Sequence, residues 1–245
     1  MCKKLREDKM KVERRADSPL RFILRVILRA FAVFVVFSFS WVFLYKYIPV
    51  RWTPLMLKRS LENVGKKDYR TQRTWVRIDA VSPVMVRAVL AAEDGRFMEH
   101  HGIDFQQLRD VLRDHMQKGK PLRGCSTISQ QVAKNCFTFC GSTLWRKAFE
   151  AYYTILIELM WSKERIMEVY LNIAETGKGV YGVEAAAVNS FGRHASQLTK
   201  HQAVSIACVL PSPLRRNPVT VSQRCSKKYR IVYGQVDYVA YPFAR

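Results

Sequence analysis

A charge-free stretch of sixteen residues, Ala30 to Tyr45, follows a start crowded with Lys3, Lys4, Arg6, Lys9, Lys11, Arg14, Arg15 and Arg21. Alone it falls short of the roughly 20 apolar residues a helix needs to cross a bilayer. Arg25 and Arg29 can snorkel to the interface, however, while Ile23, Leu24, Val26, Ile27 and Leu28 lengthen the apolar run. The sequence therefore predicts one transmembrane anchor over residues 22–48 behind a basic tail over residues 1–21. With the positive flank N-terminal, the tail belongs in the cytoplasm and everything after about residue 48 outside it. A cleavable signal peptide is the rival reading. Ser38-Phe39-Ser40-Trp41 is a poor cleavage site and the basic region is long, which favours an anchor that stays attached.

What remains of the 245 residues, 49% of them hydrophobic overall, can bury one sizeable core, about one domain. Of the net charge of +21, residues 1–29 hold +6, so the part beyond them is itself basic. Nucleic acid, an anionic membrane surface and a phosphate-bearing substrate all fit that balance. The six cysteines (Cys2, Cys125, Cys136, Cys140, Cys208 and Cys225) are scattered, and Cys136-x-x-x-Cys140 lacks the paired spacing of a zinc site. No metal is assigned to them, and a Cys136–Cys140 disulfide is left open.

Chemistry concentrates in Ala91-Ala92-Glu93-Asp94-Gly95-Arg96-Phe97-Met98-Glu99-His100-His101-Gly102. Ser82-Pro83 supplies a helix start, and Val84, Met85, Val86, Val89, Leu90, Ala91 and Ala92 make the helix apolar on most sides, hence buried. Its last turn presents Glu93 where the helix macrodipole disfavours negative charge, a place suited to a group that accepts a proton. A solvated Glu-Asp pair at a helix end is the plainer reading of this stretch alone.

Further along, Asp104 to Met116 reads as an amphipathic helix with Phe105, Leu108, Val111, Leu112 and Met116 on one side, core by default, with contact to lipid as the alternative. Ser126 is placed to cap a helix on which Gln130 and Lys134 share a face. The longest helix reads from Leu144 to Met160, with Arg146, Lys147, Glu150, Thr154 and Glu158 on one stripe. Taken alone, that stripe is an ordinary ladder of surface ion pairs. Ser162 caps a helix over Lys163 to Ile173, Gly177 to Gly182 interrupts, and Thr199-x-x-Gln202 opens a last clear helix that closes before Pro211. Period-2 alternation is scarce, so the domain reads as mainly α. The β-prone residues after Pro218 (Ile231, Val232, Tyr233, Val236, Tyr238, Val239) fit no element.

In order and at compatible spacing, four groups of residues resemble the motifs of the peptidoglycan glycosyltransferases of family 51. They are Glu93-Asp94-x-x-Phe97-x-x-His100-x-Gly102, then Gly124-x-Ser126-Thr127-Ile128-x-Gln130-Gln131-x-x-Lys134-Asn135, then Arg146-Lys147-x-x-Glu150, then Lys163-x-x-Ile166-x-Glu168-x-Tyr170-Leu171-Asn172. The likeness covers residues 80–215, including Pro211-Ser212-Pro213. Cys125 departs from the family's usual Gly or Ala. The resemblance implies a mainly α, lysozyme-like glycosyltransferase domain over residues 81–218. One transmembrane helix and a connector over residues 49–80 would precede it, and a tail over residues 219–245 of unassigned role would follow. Bifunctional relatives add a transpeptidase domain with Ser-x-x-Lys and Lys-Thr-Gly motifs. Neither pattern occurs here, so the layout is similar to that of the monofunctional members.

The same resemblance implies a reaction. Lipid-linked disaccharide-pentapeptide (lipid II) would be joined into β-1,4 glycan strands with inversion and release of undecaprenyl pyrophosphate. Glu93 and Glu150 would be catalytic, the first as base and the second assisting departure, either directly or by helping to hold a divalent cation. Whether a cofactor is required is open on this reading, with Mg2+ or Mn2+ as the candidate ion near Glu150. Lys134, Arg146 and Lys147 would bind the pyrophosphate, and Ser126, Gln130 and Gln131 would add hydrogen bonds. Asp94, Phe97, His100 and Asn135 would orient or support. The implied partners are lipid II, the nascent glycan, the membrane and proteins of cell-wall synthesis or division, with no nucleic acid. The implied location is the inner membrane with the domain in the periplasm. A lysozyme-like glycan-cleaving enzyme is the first alternative, though it would have no use for the Lys/Arg set and the second Glu. A catalytically inactive membrane scaffold is the other.

Overall fold

The structure is a computed structural model that describes residues 19–66, 69–121, 124–139, 144–224 and 226–243. By its contacts the chain divides between Leu44 and Tyr45. Helix α1 (Pro19–Tyr47) has 29 residues. At 1.5 Å per residue that is about 43 Å, longer than the hydrocarbon core of a bilayer. Its start at Pro19 resolves the shortfall of the charge-free stretch, because Arg25 and Arg29 lie within the same helix. Side chains such as Phe22, Ile27, Phe31 and Val36 are exposed, which suits an apolar surrounding rather than water.

The second unit is helical with one small sheet. Helix α2 (Pro54–Glu62) starts at Thr53, whose hydroxyl accepts from the Met56 amide, with Pro54 at the first helical position. Helix α3 (Pro83–Glu93) buries Met85, Val86, Ala88, Val89 and Leu90, as its apolar composition predicts. Ser82 precedes it but makes no capping bond; its hydroxyl reaches instead toward the Leu198 carbonyl. Then follow α4 (Phe105–Lys118), α5 (Ile128–Phe137), α6 (Leu144–Met160), α7 (Lys163–Ile173), α8 (Val183–Phe191) and α9 (Lys200–Val209). Helices α5, α6 and α7 pack on one another, and α3 packs along α9. Fully buried Phe97, Ile128, Ile157, Ile166, Met167, Leu171, Ile173 and Ile206 form the core between them.

Strand β1 (Gln72–Arg73) runs parallel to β3 (Val180–Tyr181), which pairs antiparallel with β2 (Glu175–Gly177). The connector is thereby drawn into the domain. Asn172 strengthens this by accepting from the Val76 amide and donating to the Val76 carbonyl, both at 2.8 Å, and Glu168 accepts from the Ile78 amide at 3.0 Å. Glu168 and Asn172 of the fourth motif are thus clamps on the connector.

Two expectations change. Helix α4 forms, capped by Asp104 and ended by Gly119 in the left-handed conformation, yet none of its residues is buried and Phe105, Leu112 and Met116 are exposed. Its apolar side is not core, since among the described residues no helix packs closely enough on it to bury a side chain. At its N-terminus α4 is held by the Arg96–Asp104 ion pair at 2.8 Å. The β-prone tail is helical: α10 (Val221–Arg224) and α11 (Ser226–Gln235), with Val232 and Val236 buried where α11 docks on α9. Tertiary burial overrides the local strand preference. Cys136 and Cys208 are buried; Cys140 lies outside the described residues, and so does the Cys136–Cys140 question.

Candidate active site

Glu93 is the last residue of α3, and the chain turns away immediately after it. Its two carboxylate oxygens have different partners. Oε2 accepts from the Gln131 side-chain amide at 3.1 Å, and Oε1 faces the Lys228 ammonium at 3.2 Å. Gln131 in turn accepts the Tyr170 phenolic hydrogen at 3.3 Å, which sets the orientation of its amide. Burial, then the charges of Glu93 and Asp94, hold the Tyr170 phenol well above its ordinary pKa, so it stays a donor.

Asp94 turns inward. It accepts from His100 Nε2 at 3.0 Å and from the Ile128 amide at 3.0 Å. The Gly102 amide donates to His100 Nδ1, so the ring hydrogen sits on Nε2 and points at Asp94. Phe97 is buried beneath, with the Lys163 ammonium 4.5 Å from its ring centre. Asp94, Phe97 and His100 therefore support the turn that carries Glu93.

Helix α5 brings the second motif to the same place. Its cap is Thr127 rather than Ser126: Thr127 accepts from the Gln130 amide, and the Gln130 side-chain carbonyl accepts from the Thr127 amide. Ser126, one residue earlier, remains exposed. A cleft of about 450 Å³ then gathers Glu93, Ser126, Gln130, Gln131, Lys134, Asn135 and Glu150. Lys134 is exposed at its edge, and among the described residues no carboxylate pairs with it.

Glu150 is only 2% exposed. Arg146 donates to it at 3.0 Å from one turn earlier on α6, and Lys147 pairs with its other oxygen. Arg146 and Lys147 do not line the cleft as the sequence suggested; their head groups are engaged with Glu150, since spacings of three and four bring them onto one helical face. The surroundings of Glu150 do not suit a divalent cation. Both its oxygens are already held by cations, and among the described residues no second carboxylate or imidazole gathers with it. Asp94, His100 and Asp104 lie close together, but they are spent on one another, on Ile128 and on Arg96.

Four residues escaped the sequence reading. Arg59 and Leu55 enter the cleft from α2, inside the supposed connector. Glu175, 8% exposed, lines the opposite wall with Arg59 Nε 3.4 Å away, and burial pushes its carboxyl above the ordinary range. Lys228 arrives from the C-terminal helix α11, 135 positions beyond Glu93. Only the alternation of long-range packing places these, and no local spacing signals it.

The transglycosylase family profile matches residues 59–237. A biosynthetic peptidoglycan transglycosylase of Bacteroides thetaiotaomicron is 44% identical over 222 residues, covering 90% of this chain and 89% of that protein. Proteins of the same name from Bdellovibrio bacteriovorus and Vibrio parahaemolyticus are 47% and 49% identical, covering 77% and 69% of this chain and 76% and 69% of theirs.

Proposed function

This chain belongs to the transglycosylase family and is a glycosyltransferase of peptidoglycan synthesis, and from that premise we propose how its cleft carries out the reaction. The substrate is lipid II, and the observation that carries the reading is that Glu93, Lys134 and Glu150 face one cleft. The acceptor sugar's 4-hydroxyl oxygen attacks the donor's anomeric carbon as the bond to the pyrophosphate oxygen breaks. Glu93 takes the hydroxyl proton, and the electron pair leaves with undecaprenyl pyrophosphate. A sugar hydroxyl is a weak nucleophile at neutral pH and needs such a base.

The departing pyrophosphate needs positive charge aimed where its own charge grows. Lys134 supplies this directly, being the cation of the set that opens on the cleft without a carboxylate partner. Arg146 and Lys147 act through Glu150, giving that wall a net positive charge. Ser126 and Asn135 offer hydrogen bonds at the rim. A single displacement inverts an α-linked donor to a β-linked product and forms no covalent intermediate with the enzyme.

Helix α1 serves as a single-pass anchor with the basic tail in the cytoplasm and the domain outside, which keeps the enzyme beside a substrate whose polyprenyl tail stays in the bilayer. Protease added to spheroplasts digests the domain if this orientation is right; full protection rejects it. The deciding assay for function uses labelled lipid II and the full-length chain. Polymer formation is the expected result, whereas release of fragments from finished glycan would make the protein a hydrolase.

A further inference from the structure

The C-terminal helix α11 is docked rather than trailing. Tyr229 and Tyr233 stack at 5.6 Å, His201 of α9 lies 5.6 Å from Tyr229, and the Lys200 ammonium sits 4.0 Å over the Tyr233 ring while pairing with Asp237. Val232 and Val236 are buried beneath. These contacts fix the rotation of α11, and that rotation turns Lys228 toward the end of α3. Its ammonium meets Glu93 Oε1 at 3.2 Å.

Glu93 is nearly enclosed, with a side chain 10% exposed. A carboxylate there needs compensation, and Gln131 supplies one neutral hydrogen bond. Among the described residues the ionisable groups around it are Lys228 from α11, the Tyr170 phenol from α7 acting through Gln131, and Asp94 beside it in sequence. From α9, Lys200 is turned to Asp237 and His201 to Tyr229. Lys228 is thus the cation at the carboxylate, while Lys134, Arg146 and Lys147 belong to the leaving-group side.

We infer that Lys228 is a positioning residue for Glu93: it holds the carboxylate in one rotamer, facing the place where the acceptor hydroxyl arrives. The inference rests on the reading of Glu93 as base. With Gln131 on one oxygen and Lys228 on the other, the carboxylate plane is set from both sides, and each oxygen keeps a lone pair for the incoming hydroxyl. Without the ammonium, Oε1 loses its partner and the carboxylate is free to rotate about its last bond.

The experiment measures polymerisation of labelled lipid II by the full-length chain across pH for the parent, Lys228→Met, Lys228→Gln, Lys228→Arg and Glu93→Gln. Circular dichroism checks folding, and Lys227→Met, an exposed neighbour on α11, serves as control. Loss of the partner lets the carboxylate turn away from the acceptor, so the loss falls on turnover. The turnover of Lys228→Met and Lys228→Gln falls about tenfold at every pH, with apparent substrate affinity within about threefold of the parent. Lys228→Arg restores turnover, and Lys227→Met leaves it in place. Parental turnover in either neutral variant, a loss carried by apparent affinity instead, or no rescue by Lys228→Arg overturns the inference. Should Glu93→Gln itself polymerise like the parent, the base assignment fails separately.

Discussion

Asp94 accepts the Ile128 amide hydrogen at 3.0 Å, so one carboxylate joins the C-terminal end of α3 to the N-terminal end of α5. An anion at that position meets the positive end of the α5 dipole, while its neighbour Glu93 faces the cleft. The adjacent carboxylates therefore divide into one that holds two helices together and one that lines the cleft.

Replacing them separates these roles. Glu93→Gln keeps size and hydrogen bonding but cannot take a proton, so polymerisation falls by about 10² to 10⁴ while lipid II binding persists. Asp94→Asn loses the charge shared by His100 and Ile128, costing on the order of 1–3 kcal/mol of stability with the milder loss of turnover. Rates, substrate binding and denaturation midpoints for both variants decide it. A more damaging effect of Asp94→Asn on turnover would reverse the assignment.

Lys134→Ala and Lys147→Ala lose the same charge in different settings. Lys134→Ala removes a stabiliser aimed at the developing anion and costs about 3–4 kcal/mol in the transition state. Lys147→Ala leaves Glu150 with Arg146 and lowers turnover less. Equal losses in kcat for the two folded variants would show that the leaving group touches both lysines directly.

Gly102→Ala places a side chain at φ +89°, with the new Cβ 2.6 Å from Thr154 Cγ2 and 3.0 Å from Glu158 Cγ. Both neighbours belong to the buried face of α6, so the chain must shift. A destabilisation on the order of 1–3 kcal/mol is expected, read from a denaturant midpoint. A midpoint equal to the parent's would mean that the His100–Gly102 turn relaxes without strain.

Glu175 makes stability depend on pH. Burial raises its folded pKa above the unfolded value, so between the two the folded chain binds more protons. Its contribution is full below the unfolded value and is lost as pH rises through the folded one. Glu175→Gln removes that loss, so the variant gains on the parent between pH of about 4 and about 8. Urea midpoints at both pH values test this; an unchanged gap sinks it.

The part of this molecule legible in its sequence is the part governed by local rules. Helix α3 ending at Glu93, the pairing of Arg146 and Lys147 with Glu150, and the Thr199 capping box follow from spacings of three and four. The sequence reading puts the cap of α5 at Ser126, and the reciprocal bond with Gln130 shows that it is Thr127. The stripe on α4 has the periodicity of a core helix, but periodicity cannot say whether another element arrives to cover it. Arg59, Glu175 and Lys228 are brought in by the sheet and by the docking of α11, relationships between residues far apart that no spacing encodes.

The path Tyr170 to Gln131 to Glu93 runs one way. Tyr170 donates to Gln131, Gln131 donates to Glu93, and Lys228 donates from the other side, so none of the three can relieve the carboxylate of a hydrogen once it has one. On the proposed reaction, a proton captured from an acceptor sugar finds no onward acceptor along this path among the described residues. It would leave by the mouth of the cleft, the same opening proposed for the departing pyrophosphate, so clearing that opening would both free the product and ready the base for the next sugar.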